Sequence, residues 1–139
     1  MAEGLFRHHV SRLGIEQHFT IDSCGTGGWH AGELPDQRMR QTAEKNGITL
    51  THRARQLQES DFDHFDHLLV MDEQNYKDVI RVNAKMAGKV KLMSDLSDTH
   101  KGKIIPDPYF GDIQGFEQVF QLLDQVSSEI AQNFLQQYR

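Results

Sequence analysis

Three short apolar runs along the chain have the length and composition of buried β-strands. They are HFTIDS (18–23), HLLVMD (67–72) and KVKLMS (89–94). Short runs of this kind, bounded by polar residues, favour strands over helices. Segments with helical periodicity separate and follow these runs. The pattern therefore predicts an α/β fold with a parallel sheet.

Four segments space their apolar residues as an amphipathic helix does. The first is the opening segment MAEGLFRHHV, and the second begins near Pro35, has Asp36 in its first turn and ends at Asn46 and Gly47. The third follows Asp72, whose carboxylate can cap it. The last carries one apolar stripe that we expect to lie against the sheet. That stripe comprises Phe116, Val119, Phe120, Leu123, Val126, Ile130 and Phe134.

The opening helix has neither a capping residue nor a strand in front of it. Helices in folds of this class normally follow a strand. The strand-to-helix turn is also where such folds usually bind anions. The pattern therefore predicts that a strand and an anion-binding turn are missing before Met1.

Length and composition indicate one domain over residues 1–139. The formal net charge is −5 and no run of Lys or Arg occurs, which argues against nucleic acid as a partner. No apolar stretch approaches the roughly 20 residues that span a bilayer, and the first residues do not form a signal peptide. We therefore expect no membrane association and a cytoplasmic location. The single cysteine allows no internal disulfide.

The segment IIPDPYFGD is the most informative for chemistry. Asp107 lies between two prolines that stiffen the backbone, and Tyr109 and Phe110 follow directly. A carboxyl group beside aromatic rings suits protonation of a leaving group on a ring-shaped substrate. A proline-rich turn capped by an aspartate explains the same segment equally well.

Two further segments carry candidate residues. The glycine-rich loop of IDSCGTGGWHAGELPD ends in Trp29, which could form a wall of a cleft, although packing is the more common role of a single tryptophan. In THRARQL, the residues His52, Arg53 and Arg55 are most simply surface cations. The segment DHFDH spaces His64 and His67 as a weak zinc pattern. A polar lead-in to the next strand explains it better, and we expect neither a metal nor another cofactor.

Together these segments resemble the low-molecular-weight protein-tyrosine phosphatases over nearly the whole chain. The similar segments are AEGLFR, IDSCGTGGWHAGELPD, THRARQL, FDHFDHLLVMDEQNY and PDPYFGD...GFEQV. The resemblance implies a three-layer sandwich, in which helices flank a short parallel sheet of four strands, with the first strand missing here. It also implies hydrolysis of phosphotyrosine through a phosphocysteine intermediate, with phosphotyrosine proteins or small aryl phosphates as substrates.

The resemblance also assigns roles to residues. Asp107 matches the general acid that protonates the departing tyrosine oxygen and then activates the hydrolytic water. The aromatic positions of the substrate cleft match Trp29, Tyr109 and Phe110. The positions that brace the phosphate-binding loop and its surroundings match Glu3, Ser23, His52 and Asp72.

One part of the family pattern is absent from these 139 residues. In the family, a strand leads into a loop of Cys, five residues, Arg, then Ser or Thr, and AEGLFR follows within a few residues. Six residues after Cys24 stands His30 rather than Arg. We therefore interpret Cys24 as a buried small residue. The chain is expected to be N-terminally truncated relative to the family and inactive as it stands, because the nucleophile and the phosphate loop are lost.

Two other functions fit less of the sequence. A non-catalytic interaction protein could use the remaining cleft to bind a partner without hydrolysis. Arsenate reductases that are coupled to thioredoxin resemble this fold, but they rely on further cysteines after the nucleophile. No cysteine follows Cys24, so arsenate reduction is the least favoured of the three.

Overall fold

The structure is a computed structural model that describes residues 1–27, 31–106 and 113–138. Helices form most of its regular secondary structure. The elements, in chain order, are α1 (Ala2–Arg12), α2 (Gln37–Lys45), α3 (Asp61–His64), β1 (Leu68–Val70), α4 (Glu73–Val82), β2 (Val90–Leu92) and α5 (Ile113–Leu135). Short 3₁₀ turns cover Glu16–His18, Ala84–Lys89, Met93–Leu96 and Gln136–Tyr138. In the described part of the chain, no helix is both long and apolar enough to cross a membrane.

Strands β1 and β2 form a parallel pair, and α4 lies between them in the sequence. Leu68 is opposite Val90 and Val70 is opposite Leu92. Parallel strands need such a crossover connection, and a helix usually supplies it. The strands predicted over 67–72 and 89–94 are therefore present but shorter, since Asp72 caps α4 and Met93 begins a 3₁₀ turn. The α/β class with a small parallel sheet is confirmed.

The prediction of a strand over 18–23 is wrong for the described structure. A 3₁₀ turn ends at His18, and Phe19 is extended, with φ −124° and ψ 141°. Among the described residues, the nearest ladder contact of this segment is a single parallel bridge between Gly25 and Gln56. A run of apolar residues becomes a strand only when a partner takes up its backbone groups. Residues 19–23 have no strand partner within the described ranges, so they form no ladder. We call residues 19–23 the extended segment, after the conformation of Phe19.

The predicted helices are present, and their ends follow the expected capping chemistry. Asp36 is the N-cap of α2 and not part of its first turn, and it accepts a hydrogen bond of 2.8 Å from the Arg38 N–H. Gly47 follows the end of α2 with φ +83°, a conformation that glycine adopts without strain. Asp72 caps α4 by accepting a hydrogen bond of 2.7 Å from the Asn75 N–H.

The apolar stripe of α5 is buried as predicted, but its main neighbours are helices rather than the sheet. Helix α5 packs against α1 and α2, and Leu5 of α1 is fully buried in this core. Leu69 and Met71 reach the same core from β1 and the residue that follows it. Six of the seven stripe residues are buried, while Phe134 is half-buried and meets the Phe19 ring at 5.4 Å. The sheet exposes too little area to cover the whole stripe.

A groove separates the extended segment from β1. It has a volume of about 670 Å³ and lies between residues 18–26 and residues 64–71. Phe6 of α1 and Ile130 of α5 also line it. The side of β1 that faces away from β2 therefore borders open space.

Candidate functional site

Four predicted site residues, Trp29, Asp107, Tyr109 and Phe110, lie outside the described residues. The described chain does fix the position from which the Asp107 segment departs. The Ile105 N–H donates a hydrogen bond of 3.0 Å to the Met71 carbonyl, directly after β1. Because Ile105 is itself buried, the chain leading to Asp107 is anchored at the carboxyl end of β1.

A second anchor holds the turn that precedes Ile105. Glu129 of α5 accepts hydrogen bonds from the hydroxyls of Ser97 and Thr99, and its carboxylate lies 3.5 Å from Nδ1 of His100. The Ser97 and Thr99 hydroxyls lower the pKa of Glu129 to about 2. Glu129 therefore stays ionised at neutral pH and ties α5 to the segment that leads to Asp107.

Two of the predicted bracing residues, Glu3 and Ser23, are in direct contact. The Ser23 hydroxyl donates a hydrogen bond of 2.7 Å to Glu3, and Arg7 pairs with the other Glu3 oxygen at 3.1 Å. Arg7 also donates to the Ile21 carbonyl. Glu3 is buried although it is charged, so both partners are needed to compensate its desolvation. The first turns of α1 are thereby tied to the extended segment.

His52 shares the electrostatic environment of Glu3. Burial lowers the pKa of His52, the Met1 amine and Arg7 lower it further, and Glu3 and Asp22 oppose this shift. Burial also lowers the pKa of the Met1 amine to about 6, against the opposing effect of Glu3. Both cationic groups therefore favour their neutral form near the start of α1.

The stability of this 139-residue chain is expected to rise as the pH increases from 6 to 8. The Met1 amine has a pKa of about 6 when folded and 8.0 ordinarily, so between these values the unfolded chain binds the proton more strongly. Lowering the pH through this window therefore favours unfolding, by at most about 2.7 kcal/mol. His52 acts in the same direction below its ordinary pKa. Urea unfolding at pH 6 and pH 8, at constant ionic strength, measures the difference.

Acetylation of the Met1 amine supplies the control for this pH effect. The acetylated chain has no amine to titrate, so its stability should depend less on pH between 6 and 8. Equal stability of the unmodified chain at the two pH values would contradict the expected result.

Asp72, the fourth bracing candidate, acts locally as a helix cap. Its carboxylate accepts from the Asn75 N–H, and its carbonyl accepts from the Tyr76 N–H at 3.1 Å. It follows Met71, to which the Asp107 segment is anchored. Asp72 therefore lies at the same edge of the sheet as that segment, and its described contacts are with α4.

Sequence reasoning missed the role of Arg55, which is not a simple surface cation. Its guanidinium forms two hydrogen bonds to Asp61, of 2.9 and 3.0 Å, and one of 3.0 Å to Asp22. Burial would raise the pKa of Asp61, but the Arg55 fork and the Gln58 N–H outweigh it and lower that pKa. Arg55 thus fixes the extended segment to α3. No local pattern reveals this contact, because Asp22 is 33 residues away.

The interpretation of Cys24 as a buried residue is wrong, because its side chain is exposed at the rim of the groove. Partial desolvation raises the pKa of its thiol, Arg55 opposes the rise, and Asp61 and Asp22 add to it. A nucleophilic cysteine requires a lowered thiol pKa, which favours the thiolate. This environment does not activate Cys24.

The polar segment before β1 shows no arrangement suited to a metal. Asp61–His64 forms the short helix α3, and Asp61 is engaged by Arg55. Within the described ranges, no three His, Cys, Asp or Glu side chains converge as metal ligands would. The described part of the site therefore consists of paired carboxylates, hydroxyls and cations around one edge of the sheet.

Comparisons with known proteins agree with this arrangement. The family model described as "Low molecular weight phosphotyrosine protein phosphatase" matches residues 1–138. Relatives with the same description occur in Schizosaccharomyces pombe, with 43% identity over 97% of this chain and 85% of the relative, and in Homo sapiens, with 36% identity over 87% and 78%. A crystal structure of a protein tyrosine phosphatase from Entamoeba histolytica superposes with a TM-score of 0.89 and 27% identity.

That superposition covers 99% of this chain and 89% of the Entamoeba histolytica chain. The sequence and structural matches therefore extend over almost all of the 139 residues and not over a single motif. The chain belongs to the low molecular weight phosphotyrosine protein phosphatase family.

Proposed function

We propose that these 139 residues form the part of a phosphotyrosine phosphatase that binds the substrate and transfers the proton, and that they do not hydrolyse phosphate esters by themselves. The observation that carries this proposal is the state of the only cysteine. Cys24 has a raised thiol pKa, and His30 rather than Arg stands six residues after it. Attack on phosphorus needs a thiolate and a cation beside the phosphate oxygens.

The proposed role of Asp107 is the one that the resemblance to the family implies, and the anchoring of the preceding segment supports it. The chain before it is anchored to Met71 and, through the Ser97–His100 turn, to Glu129. In the proposed reaction, the thiolate of a cysteine outside these residues attacks phosphorus while Asp107 gives its proton to the phenolic oxygen. The Asp107 carboxylate then takes a proton from water as that water cleaves the phosphocysteine. Trp29, Tyr109 and Phe110 would hold the aromatic ring.

The contact between Glu3 and Ser23 supports a bracing role for these residues. It ties the start of α1 to the segment that ends at Cys24. We propose that Glu3, Ser23, His52 and Asp72 hold the surroundings of a phosphate-binding loop when such a loop is present. Phosphotyrosine proteins or small aryl phosphates in the cytoplasm would be the substrates.

A second candidate is phosphotyrosine binding without hydrolysis, which the same state of Cys24 favours. Trp29 is the only tryptophan of the chain, so its fluorescence reports on the proposed cleft. Saturable quenching of that fluorescence by O-phosphotyrosine, without release of phosphate and without equal quenching by tyrosine, would favour this candidate.

An assay with p-nitrophenyl phosphate tests the proposal directly. The purified 139-residue chain is expected to release no more nitrophenol than its Cys24→Ser variant, because the Cys24 thiol is not activated. Both proteins are assayed in a thiol reductant, so that oxidation of Cys24 does not hide activity. Turnover by the chain that Cys24→Ser abolishes would overturn the proposal.

A further inference from the structure

Cationic residues are concentrated in one stretch of the chain. Residues 77–91 contain five of the 15 Lys and Arg and one of the 20 Asp and Glu, although the formal net charge of the whole chain is −5. The proposed function gives none of these five cations a role. A local surplus of one charge on a protein surface attracts partners of the opposite charge. This stretch therefore differs in its electrostatics from the rest of the protein.

Three of the five cations are exposed along α4 and the turn that follows it. Lys77 and Arg81 are four positions apart on α4, so their side chains lie on the same side of the helix. Lys85 comes another four positions later, in the 3₁₀ turn over Ala84–Lys89, and is also exposed. We call Lys77, Arg81 and Lys85 the cationic ridge.

The other two cations of the stretch have different surroundings. The Lys89 ammonium group donates hydrogen bonds to the carbonyls of Phe62 and Phe65, at 2.6 and 3.3 Å. Lys91 is opposite Leu69 in the parallel pair, and Leu69 faces the core of α1 and α5 rather than α4. Neither Lys89 nor Lys91 therefore belongs to the cationic ridge.

Contacts within the protein leave most of the charge of the cationic ridge uncompensated. The Arg81 side chain is 75% exposed and lies 3.6 Å from a carboxylate oxygen of Asp78, which also accepts a hydrogen bond from Gln74. An exposed ion pair of this kind contributes little to stability. In the part of the chain that the structure describes, no carboxylate pairs with Lys77 or Lys85. All three cations are therefore available to a partner.

An exposed apolar residue adjoins the cationic ridge. Val82 directly follows Arg81 and is 44% exposed. Protein interfaces commonly surround such an apolar contact with polar and charged residues. A membrane surface fits less well, because one apolar side chain gives little area to insert, and nucleic acid fits less well because the chain as a whole is acidic. The surface favours a polypeptide that carries both carboxylates and an apolar side chain.

We propose that the cationic ridge binds an extended acidic segment of a partner protein. Lys77 and Arg81 are about 6 Å apart along the helix axis, and alternate residues of an extended chain are separated by about 6.6 Å. The segment therefore has Asp or Glu at every second position, opposite the ridge, and an apolar residue in contact with Val82. Its carboxylates replace the weak contact of Asp78 with Arg81.

The inference goes beyond the proposed function and does not rest on it, because binding at the cationic ridge requires neither Asp107 nor a nucleophile. The ridge is nevertheless close to the proposed site. Asp72 caps α4 five positions before Lys77, and it follows Met71, to which the Asp107 segment is anchored. A partner bound on the ridge is therefore held beside that edge of the sheet.

Binding of an acidic peptide to the 139-residue chain tests the inference. The probe is Gly-Glu-Leu-Glu-Ser-Glu-Gly with blocked ends and an uncharged dye, and fluorescence anisotropy should show saturable binding at low salt. Binding should weaken at least about tenfold on going from about 50 mM to about 300 mM NaCl, because salt screens exposed charges.

The matched control peptide is Gly-Gln-Leu-Gln-Ser-Gln-Gly, which keeps the size of each side chain and removes the carboxylates. It should bind at least about tenfold more weakly than the acidic peptide. Equal binding of the two peptides, binding that does not respond to salt, or no binding of either peptide would overturn the inference.

A pair of protein variants locates the binding. Lys77→Glu with Arg81→Glu reverses two charges of the cationic ridge and should weaken binding of the acidic peptide at least about tenfold. Arg12→Glu with Lys45→Glu makes the same change in net charge at exposed positions of α1 and α2, which pack against α5. This control should bind within about twofold of the parent chain, because salt screens distant charges. Circular dichroism checks that both variants fold, and the glutamine peptide tests the inference without any variant. Equal weakening by both variants would contradict binding at the ridge.

Other anionic partners provide the competing outcomes. The chain is sedimented with vesicles of phosphatidylcholine and phosphatidylserine, and a labelled DNA duplex is titrated with it. Binding of either one that is tighter than that of the peptide, and that Lys77→Glu with Arg81→Glu removes, would overturn the inference. A dimer in analytical ultracentrifugation that the same variant dissociates would identify a second copy as the occupant and would also overturn it. Failure of the acidic peptide to bind leaves the proposed function standing, whereas turnover by the chain alone removes the proposed function only.

Discussion

Replacing Arg55 by alanine is expected to lower the free energy of unfolding by about 2 kcal/mol. The change removes both hydrogen bonds of the fork to Asp61, whose side chain is only 11% exposed. Asp61 then stays buried with the Gln58 N–H as its described partner. Removing one partner of a buried ion pair is costly because the other charge remains unpaired. Arg55 is itself 33% exposed, which keeps the effect below that of a fully buried pair.

Two variants serve as controls for Arg55→Ala in urea unfolding. Arg53→Ala removes an exposed arginine two residues earlier and should change stability by less than about 0.5 kcal/mol. The double variant Arg55→Ala with Asp61→Asn should regain part of the loss, because no unpaired charge remains. A loss for Arg53→Ala as large as for Arg55→Ala would show that the fork to Asp61 contributes nothing specific.

The elements that sequence alone predicted are those whose stability is local. Helix α4 follows from the Asp72 cap and from apolar spacing within ten residues. Helix α2 follows from Asp36 at one end and Gly47 at the other. Strands β1 and β2 are separated only by the crossover that contains α4, so each strand is close to its pairing partner in the sequence.

The features that sequence reasoning missed depend on residues far apart in the chain. HFTIDS has the composition of a strand, but pairing requires a neighbour that its own residues cannot supply. Cys24 is exposed because the segment that ends with it borders an open groove. Arg55 meets Asp22 only through folding. Glu3 and Ser23 are 20 residues apart in the chain, and their spacing does not predict that they are in contact. These two positions were identified through the resemblance to the family.

Replacing Asp107 by asparagine is expected to lower kcat by about 10²- to 10⁴-fold in a protein that also has the nucleophile. That protein is this chain preceded by a strand and a loop of Cys, five residues, Arg and Ser. Asparagine keeps the size of the side chain and removes the proton that the leaving group needs. The loss in kcat/KM, which covers the steps through release of the phenol, should be larger with phenyl phosphate than with p-nitrophenyl phosphate, because nitrophenolate leaves without full protonation.

Glu44→Gln is the control for Asp107→Asn. Glu44 is an exposed carboxylate of α2 that has no part in the proposed site, so its variant should keep the activity of the extended protein. Equal losses of kcat/KM with the two substrates would contradict proton donation by Asp107, and a comparable loss in Glu44→Gln would show a non-specific effect of removing charge.

We propose that these residues supply the proton-transferring part of a phosphatase site and that Cys24 is not its nucleophile. The most direct test is the hydrolysis of p-nitrophenyl phosphate by three proteins: the 139-residue chain, the extended protein with its Cys-x5-Arg loop, and the extended protein with that loop cysteine changed to serine. We expect nitrophenol release from the second protein alone. Thiol-dependent release by the 139-residue chain, or no release by a folded extended protein, would contradict the claim.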